Sequence, residues 1–356
     1  MKKLLLTTAI ASSAFFAGNA IAQTTISGSL DLNYKAISSE KTNDGISSLR
    51  GLGKEWQLNV QNKGKLNNGM DYAAGFSLEH DGQQTGTTGL DENVYIDFIA
   101  GNTTFSAGTD HIQHSDRTAA NFLGLIAEDL TNSTGGSLKT DIFLAAVGAD
   151  PVQAYGFGIV QTIPGMASIS AWYAPNGKVI PSAGDSAFVG NDDSIFDSGE
   201  NSAYEIGIVG SLGVKGLNAH AFMNKRDKEA TASAKDVKGV NYGLSYNFGQ
   251  ITAGYNYKKT EFESATPSTP TTSAGEIKQN EFGLAYAVSP TLTLGANYTK
   301  AESNATTKAD AKSKSIAVGY NLGPVALTAQ AAKMDNIDGN SGTDADVVLL
   351  RASTKF

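Results

Sequence analysis

The last thirteen residues read Asp344-Ala345-Asp346-Val347-Val348-Leu349-Leu350-Arg351-Ala352-Ser353-Thr354-Lys355-Phe356. As a strand they put Val348, Leu350, Ala352, Thr354 and Phe356 on one face. Val347, Leu349, Arg351, Ser353 and Lys355 take the other. Alternation of this kind is the period of a β-strand, whose successive side chains point to opposite faces. The first face is apolar and ends on an aromatic ring, while the second carries two cations. Whether the apolar face meets a protein core or lipid is decided by the rest of the chain.

The same alternation recurs upstream. Val240, Tyr242, Leu244, Tyr246 and Phe248 run into a Gly249-Gln250 turn, followed by Ile251, Ala253, Tyr255 and Tyr257. Phe282, Leu284, Tyr286 and Val288 turn at Ser289-Pro290-Thr291 into Leu292, Leu294, Ala296 and Tyr298. Ile316, Val318, Tyr320 and Leu322 turn at Gly323-Pro324 into Val325, Leu327, Ala329 and Ala331. Further strands are expected near 24–37, 54–63, 70–79, 92–99, 103–110, 153–162, 167–174, 203–210 and 217–224. With seven from residue 240 onward they make sixteen.

The connections between these strands alternate in length. Those at 64–69, 100–102, 163–166, 211–216, 249–250, 289–291 and 323–324 are short. Those at 38–53, 80–91, 111–152, 175–202, 225–239, 259–279, 299–314 and 332–343 are long and polar. Short turns at one end and long loops at the other are the layout of an outer-membrane barrel. A soluble sandwich has the same alternation within strands but no reason for that asymmetry.

Targeting and composition agree. Lys2 and Lys3, the apolar run Leu4 to Phe16 and Ala20-Ile21-Ala22 have the form of a cleaved signal over residues 1–22. Residues 23–356 are then one domain. No later stretch reaches 18 consecutive apolar residues, so no helical span is expected. An exported chain that crosses a bilayer without helices must close into a barrel to satisfy its backbone. There is no cysteine, hence no disulfide and no thiolate metal site. The whole chain has 27 basic and 35 acidic side chains; without Lys2 and Lys3 the balance is 25 − 35 = −10. That charge argues against nucleic acid as a partner.

Signal, sixteen alternating strands, eight long loops and the terminal Lys355-Phe356 resemble the general diffusion porins of the trimeric sixteen-stranded superfamily. The resemblance covers the whole chain after residue 22. It implies an all-β transmembrane antiparallel barrel with periplasmic turns, extracellular loops and a third loop, 111–152, folded into the pore. It also implies a homotrimer in the outer membrane of a Gram-negative bacterium, in contact with outer-membrane lipid and lipopolysaccharide. Phe356 would be the signal read by the barrel assembly machinery. The Pro-Glu-Phe-Gly-Gly motif of several porin branches is replaced here by Asn121-Phe-Leu-Gly-Leu-Ile-Ala-Glu128-Asp129-Leu130.

Sixteen strands leave an aqueous interior, whereas eight fill with side chains. Candidate constriction residues are therefore Glu128, Asp129 and Asp141 on the third loop, opposed by Arg351 and Lys35 on the wall. Inward acids Asp31, Glu55, Asp71, Glu79, Asp97, Glu205 and Glu281 outnumber inward cations Lys35, Lys63, Lys258, Arg351 and Lys355. This predicts passive diffusion of ions and small hydrophilic solutes with a weak preference for cations. A substrate-specific channel, an adhesin or a barrel enzyme are the alternatives. Only four arginines are present, too few for the Arg and Lys ladder of a phosphate-selective pore.

No catalytic site and no resident metal or cofactor are expected. His111 and His114, flanked by Asp110 and Asp116, have weak metal-ligand spacing at a loop root. Asp192-Asp193 and Asp335-Asp338 offer carboxylates that suit calcium.

Overall fold

The computed structural model describes residues 22–39, 49–80, 92–109, 155–174, 202–226, 237–262, 276–304, 308–339 and 341–356. They form β1 (Gln23–Ser39), β2 (Leu49–Lys65), β3 (Asp71–His80), β4 (Glu92–Ala100), β5 (Thr103–Thr109), β6 (Tyr155–Ile163), β7 (Ala167–Ala174) and β8 (Ala203–Gly210). There follow β9 (Leu217–Arg226), β10 (Val237–Asn247), β11 (Ile251–Phe262), β12 (Glu276–Ala287), β13 (Leu292–Ser303), β14 (Ala311–Asn321), β15 (Val325–Asp335) and β16 (Ala345–Lys355). Each strand pairs antiparallel with the next, and β16 pairs with β1, closing the sheet. A closed sheet has no unpaired edge, which is the condition for crossing lipid with strands.

All sixteen expected strands are present, the pair at 203–210 and 217–226 included. Several are longer than the apolar alternation suggests at the end that carries the long loops. β2 starts at Leu49, β11 runs on to Phe262, β12 starts at Glu276 and β13 continues to Ser303. Charged residues interrupt the hydrophobic pattern there, but cross-strand ion pairs replace apolar contacts. Lys259 Nζ lies 2.5 Å from Glu261 Oε1 and 2.8 Å from Glu276 Oε2.

Two of the tight turns share one device. The Gly249 amide donates to Asn247 Oδ1 at 2.9 Å, and the Gly323 amide donates to Asn321 Oδ1 at 2.9 Å. Both glycines have positive φ, 92° and 86°, which a residue with a Cβ rarely adopts.

Burial is inverted relative to a soluble protein. Leu32, Phe157, Leu244, Phe282 and Leu350 are exposed, and all share the outward register. Asp97, Ser106, Glu205, Asn241, Asn256, Lys258 and Gln279 are buried on the inward face. An apolar outside around a polar inside is the lipid-facing arrangement.

One inward sector departs from the expected polar lining. Ile37, Ile277, Ala301, Ala311, Ala332, Met334, Ala345, Val347 and Leu349 form a buried apolar cluster on β1 and β12–β16. Ile337, in a single 3-10 turn (Ile337–Gly339) between β15 and β16, packs into it. That connection bends inward: the Ile337 amide donates to the Thr343 carbonyl at 2.8 Å, and the Gly342 amide donates to Asn336 Oδ1 at 2.8 Å. The cluster occupies the long-loop ends of these strands, and the inward polar residues Gln279, Thr299, Ser315 and Gln330 follow it toward the short-turn side.

Candidate functional site: the inward wall

The barrel's closing seam sets the first charged group. Arg351 on β16 and Asp31 on β1 are 2.5 Å apart, Nη2 to Oδ2, with the Asp31 side chain nearly buried. Lys35 sits higher on β1, inward, opposite Leu349 and Gly51. Arg351 faces Asn33, two positions below Lys35, so the seam carries both wall cations that were expected to oppose the third loop. Glu128, Asp129 and Asp141 lie outside the described residues, as do His111, His114, Asp192 and Asp193.

A second charged group spans β9–β12. Lys258 Nζ approaches Glu281 Oε1 at 3.2 Å, and Asn256 Nδ2 donates to Glu281 Oε2 at 2.9 Å. Gln279 Nε2 donates to the other oxygen of Glu281. One strand away, His220 Nε2 is 2.8 Å from Asn241 Oδ1, and its ring stacks on Phe222 with centroids 5.4 Å apart. No motif in the sequence around His220 marks it. Gly243 was the available signal: it lies between His220 and Asn256 in register, and a Cβ there would stand 2.8 Å from Asn256 Oδ1. The glycine makes room for two polar side chains to lie across it.

The remaining inward acids are spread around the ring. Asp97 accepts from Ser106 Oγ, across from it on β5. Glu205 is 1 % exposed, between Trp172 and Asn224 in register. Trp172, buried on the inward face of β7, lies over Gly156, where a Cβ would meet the ring at 2.5 Å. Glu55 stands opposite Asp31.

Depth separates the charges. Lys63, Lys65, Asp71 and Lys355 lie within two residues of a strand end at the short-turn side. There Lys65 bonds to Asp71 at 2.6 Å, and Lys65 adds a mouth cation that the sequence tally lacked. Deeper along the wall stand Asp31, Glu55, Asp97, Glu205 and Glu281, against Lys35, Lys258 and Arg351. Among the described side chains, five acids face three cations below the mouth, with Lys258 held by Glu281 and Arg351 by Asp31. Among the described residues no three His, Cys, Asp or Glu side chains converge as metal ligands.

A closed sixteen-stranded wall with hydrogen-bonding groups inside and hydrocarbon outside can conduct water and solutes. Solved structures of the same architecture include an anion-selective porin from Comamonas acidovorans (TM-score 0.67, 16 % identity, covering 94 % of this chain and 100 % of that one). Another is the trimer form of OmpT, an outer-membrane protein of Vibrio cholerae (TM-score 0.60, 15 % identity, 94 % and 99 %). Mutants of the Rh. blastica porin also match (for one, TM-score 0.57, 14 % identity, 94 % and 100 %). No curated protein sequence matches. The family model for Gram-negative porins matches residues 7–339. With that match over nearly the whole length, and a barrel apolar without and polar within, the chain belongs to the Gram-negative porin family and is an outer-membrane porin.

Proposed function

We propose that this porin is a water-filled channel for passive diffusion of ions and small hydrophilic solutes, with a weak preference for cations. The observation that carries this reading is the inward wall, where among the described side chains five acids stand against three cations below the mouth. Fixed charge acts on ions passing within a Debye length, about 8–10 Å near physiological salt. Glu128, Asp129 and Asp141 of the third long loop add to the acidic side in this reading, with Arg351 and Lys35 opposite. The apolar cluster at the long-loop ends of β12–β16 supports a water path displaced at that level toward the opposite wall. The Comamonas protein is named for anion selectivity, but 16 % identity carries over the fold and not the sign.

The porin assembles as a homotrimer in this reading, through the outward faces of the first strands and the last. An apolar trough of about 580 Å³ crosses that region, lined by Leu32, Tyr34, Leu52, Val318, Tyr320 and Leu350 among others.

Zero-current potential across a planar bilayer under a tenfold KCl gradient tests the channel. The wild type should conduct and give a small potential of cation-selective sign, reduced as salt rises. Asp129→Asn with Glu128→Gln should shrink it. A potential of anion-selective sign removes the cation preference, and absence of conductance removes the channel.

A further inference from the structure

The β15–β16 connection does more than join two strands. In the ladder Met334 pairs with Ala345, so Asp335 and Asp344 already stand side by side at the hairpin's end. A two-residue turn would close it. The longer connection present here folds onto the inner wall.

Its footing is apolar. Nine inward side chains from β1 and β12–β16 meet at the long-loop end, and Ile337 is the tenth member of that buried cluster. Left facing a water-filled lumen, such a surface would forgo about 25 cal/mol for each Å² of apolar area. Ile337 covers it and is itself 3 % exposed, with Met334 and Val347 of the same cluster at 2 %. The 3-10 turn Ile337–Gly339 lies against β14, inside the wall. Backbones whose side chains interleave stand about 8–10 Å apart, so the turn occupies the outer lumen to about that depth.

Hydrogen bonds fix the turn in place, and Asn336 makes four of them. Its φ is 52°, a left-handed conformation that asparagine tolerates better than most residues. Its amide donates to Asp344 Oδ1 at 2.9 Å, and its Oδ1 accepts from the Gly342 amide at 2.8 Å. Its Nδ2 donates to the Asp310 carbonyl at 2.9 Å, and its carbonyl accepts from the Gly339 amide at 2.8 Å. The Ala309 amide donates to the Gly339 carbonyl at 2.8 Å, which ties the turn again to the residues leading into β14. Buried apolar contacts and satisfied backbone groups mark a fixed element, since segments that open locally have few of either.

We propose that the turn Ile337–Gly339 is a fixed shelf at the outer mouth, and that it limits the size of uncharged solutes entering from the long-loop side. Ile337 is its apolar foot, and Asn336 is the residue that positions it. This rests on the channel reading above and adds to it a size filter on the β12–β16 side of the mouth, apart from the charged seam. A constriction of this kind acts through pore diameter, so it is read with solutes that carry no charge.

The test uses full-length porin in a planar bilayer with known direction of insertion. Uncharged polyethylene glycols of graded mass are added to one side at a time, and the largest that enters is read from its effect on conductance. In one variant residues 336–343 are replaced by Asn-Gly, which forms a two-residue hairpin turn. That variant should admit larger polymers than the wild type from the long-loop side, with no change from the short-turn side. Its zero-current potential should keep the wild-type sign. Ile337→Ser with Asn336→Ala should move the limit in the same direction by less, and it carries the test if the first variant does not assemble. A heat-resistant compact band on a denaturing gel verifies either barrel. An unchanged limit on the long-loop side in an assembled variant, or an equal shift on both sides, overturns the shelf. A wild type that does not conduct fails the channel reading instead, and the wild-type trace alone tells the two results apart.

Discussion

Arg351 and Asp31 are 320 residues apart in the chain and 2.5 Å apart across the closing seam. Alternation alone placed both on the inward face. It did not pair them, because their contact depends on which strand meets which at closure and in what register. His220 shows the same limit: its bond to Asn241 needs the β9–β10 register, which no local pattern specifies. The loop acids depend on a path that alternation does not describe at all. The seam pair gives a residue-level prediction. A unit charge about 10 Å from a passing ion in water is worth about 0.4 kcal/mol, roughly a factor of two in relative permeability. Arg351→Gln should therefore raise cation and lower anion permeability by about twofold each, about fourfold in their ratio. Asp31→Asn should lower it by a similar factor, and the double variant should return close to wild type. Zero-current potentials of the three proteins check this; no movement in either single variant would place the pair out of reach of the ion path.

At the scale of elements, the strands were legible because lipid imposes apolar residues at every second position over the thickness it covers. Their extracellular ends were not, because the ladder continues past the lipid on ion pairs such as Lys259–Glu276, which carry no hydrophobic period. The apolar sector of the inner wall was hidden for a related reason. Val347 and Leu349 were visible on the inward face of the last strand, yet only closure brings them against Ile37 and Ile337. The seam itself is tight. Gly28 and Phe356 exchange both backbone bonds, at 2.8 and 3.0 Å, and a Cβ on Gly28 would stand 2.6 Å from the Phe356 ring and from the Gln57 carbonyl. The terminal ring thus lies over a strand position without a side chain. Gly28→Val should cost about 1–3 kcal/mol through overpacking, seen as a lower temperature for loss of the compact band on a denaturing gel. Gly51→Val, where a Cβ meets nothing within 4 Å, should leave that temperature unchanged. Equal effects of the two would mean that strand glycine content matters and the seam contact does not.

The whole molecule has a lipid side and a side with a different character. Outward Tyr242, Tyr257, Tyr286 and Tyr298, with Lys259, Lys278 and Lys300 at the long-loop ends, mark β10–β13 as wet by headgroups, whereas the outward faces of β1 and β2 present Ile26, Leu30, Leu32 and Leu52. Leu52 is 87 % exposed and borders the apolar trough that runs over the seam. In a ring of three the contacts are heterologous, so a protrusion on one subunit must find a hollow on its neighbour. The trough supplies a hollow, and the exposed Phe105 and Phe157 on β5 and β6 supply protrusions on the far side of the same sector. Mild detergent extraction followed by light-scattering mass should give three chains per particle. Leu52→Arg puts a charge at the rim of the hollow, where desolvating it is costly, and should shift the population toward single chains. Its conductance per barrel should persist, because Leu52 faces away from the lumen. A wild type that extracts as a stable monomer would sink the trimer, and a Leu52→Arg protein that stays trimeric would move the interface elsewhere on the wall.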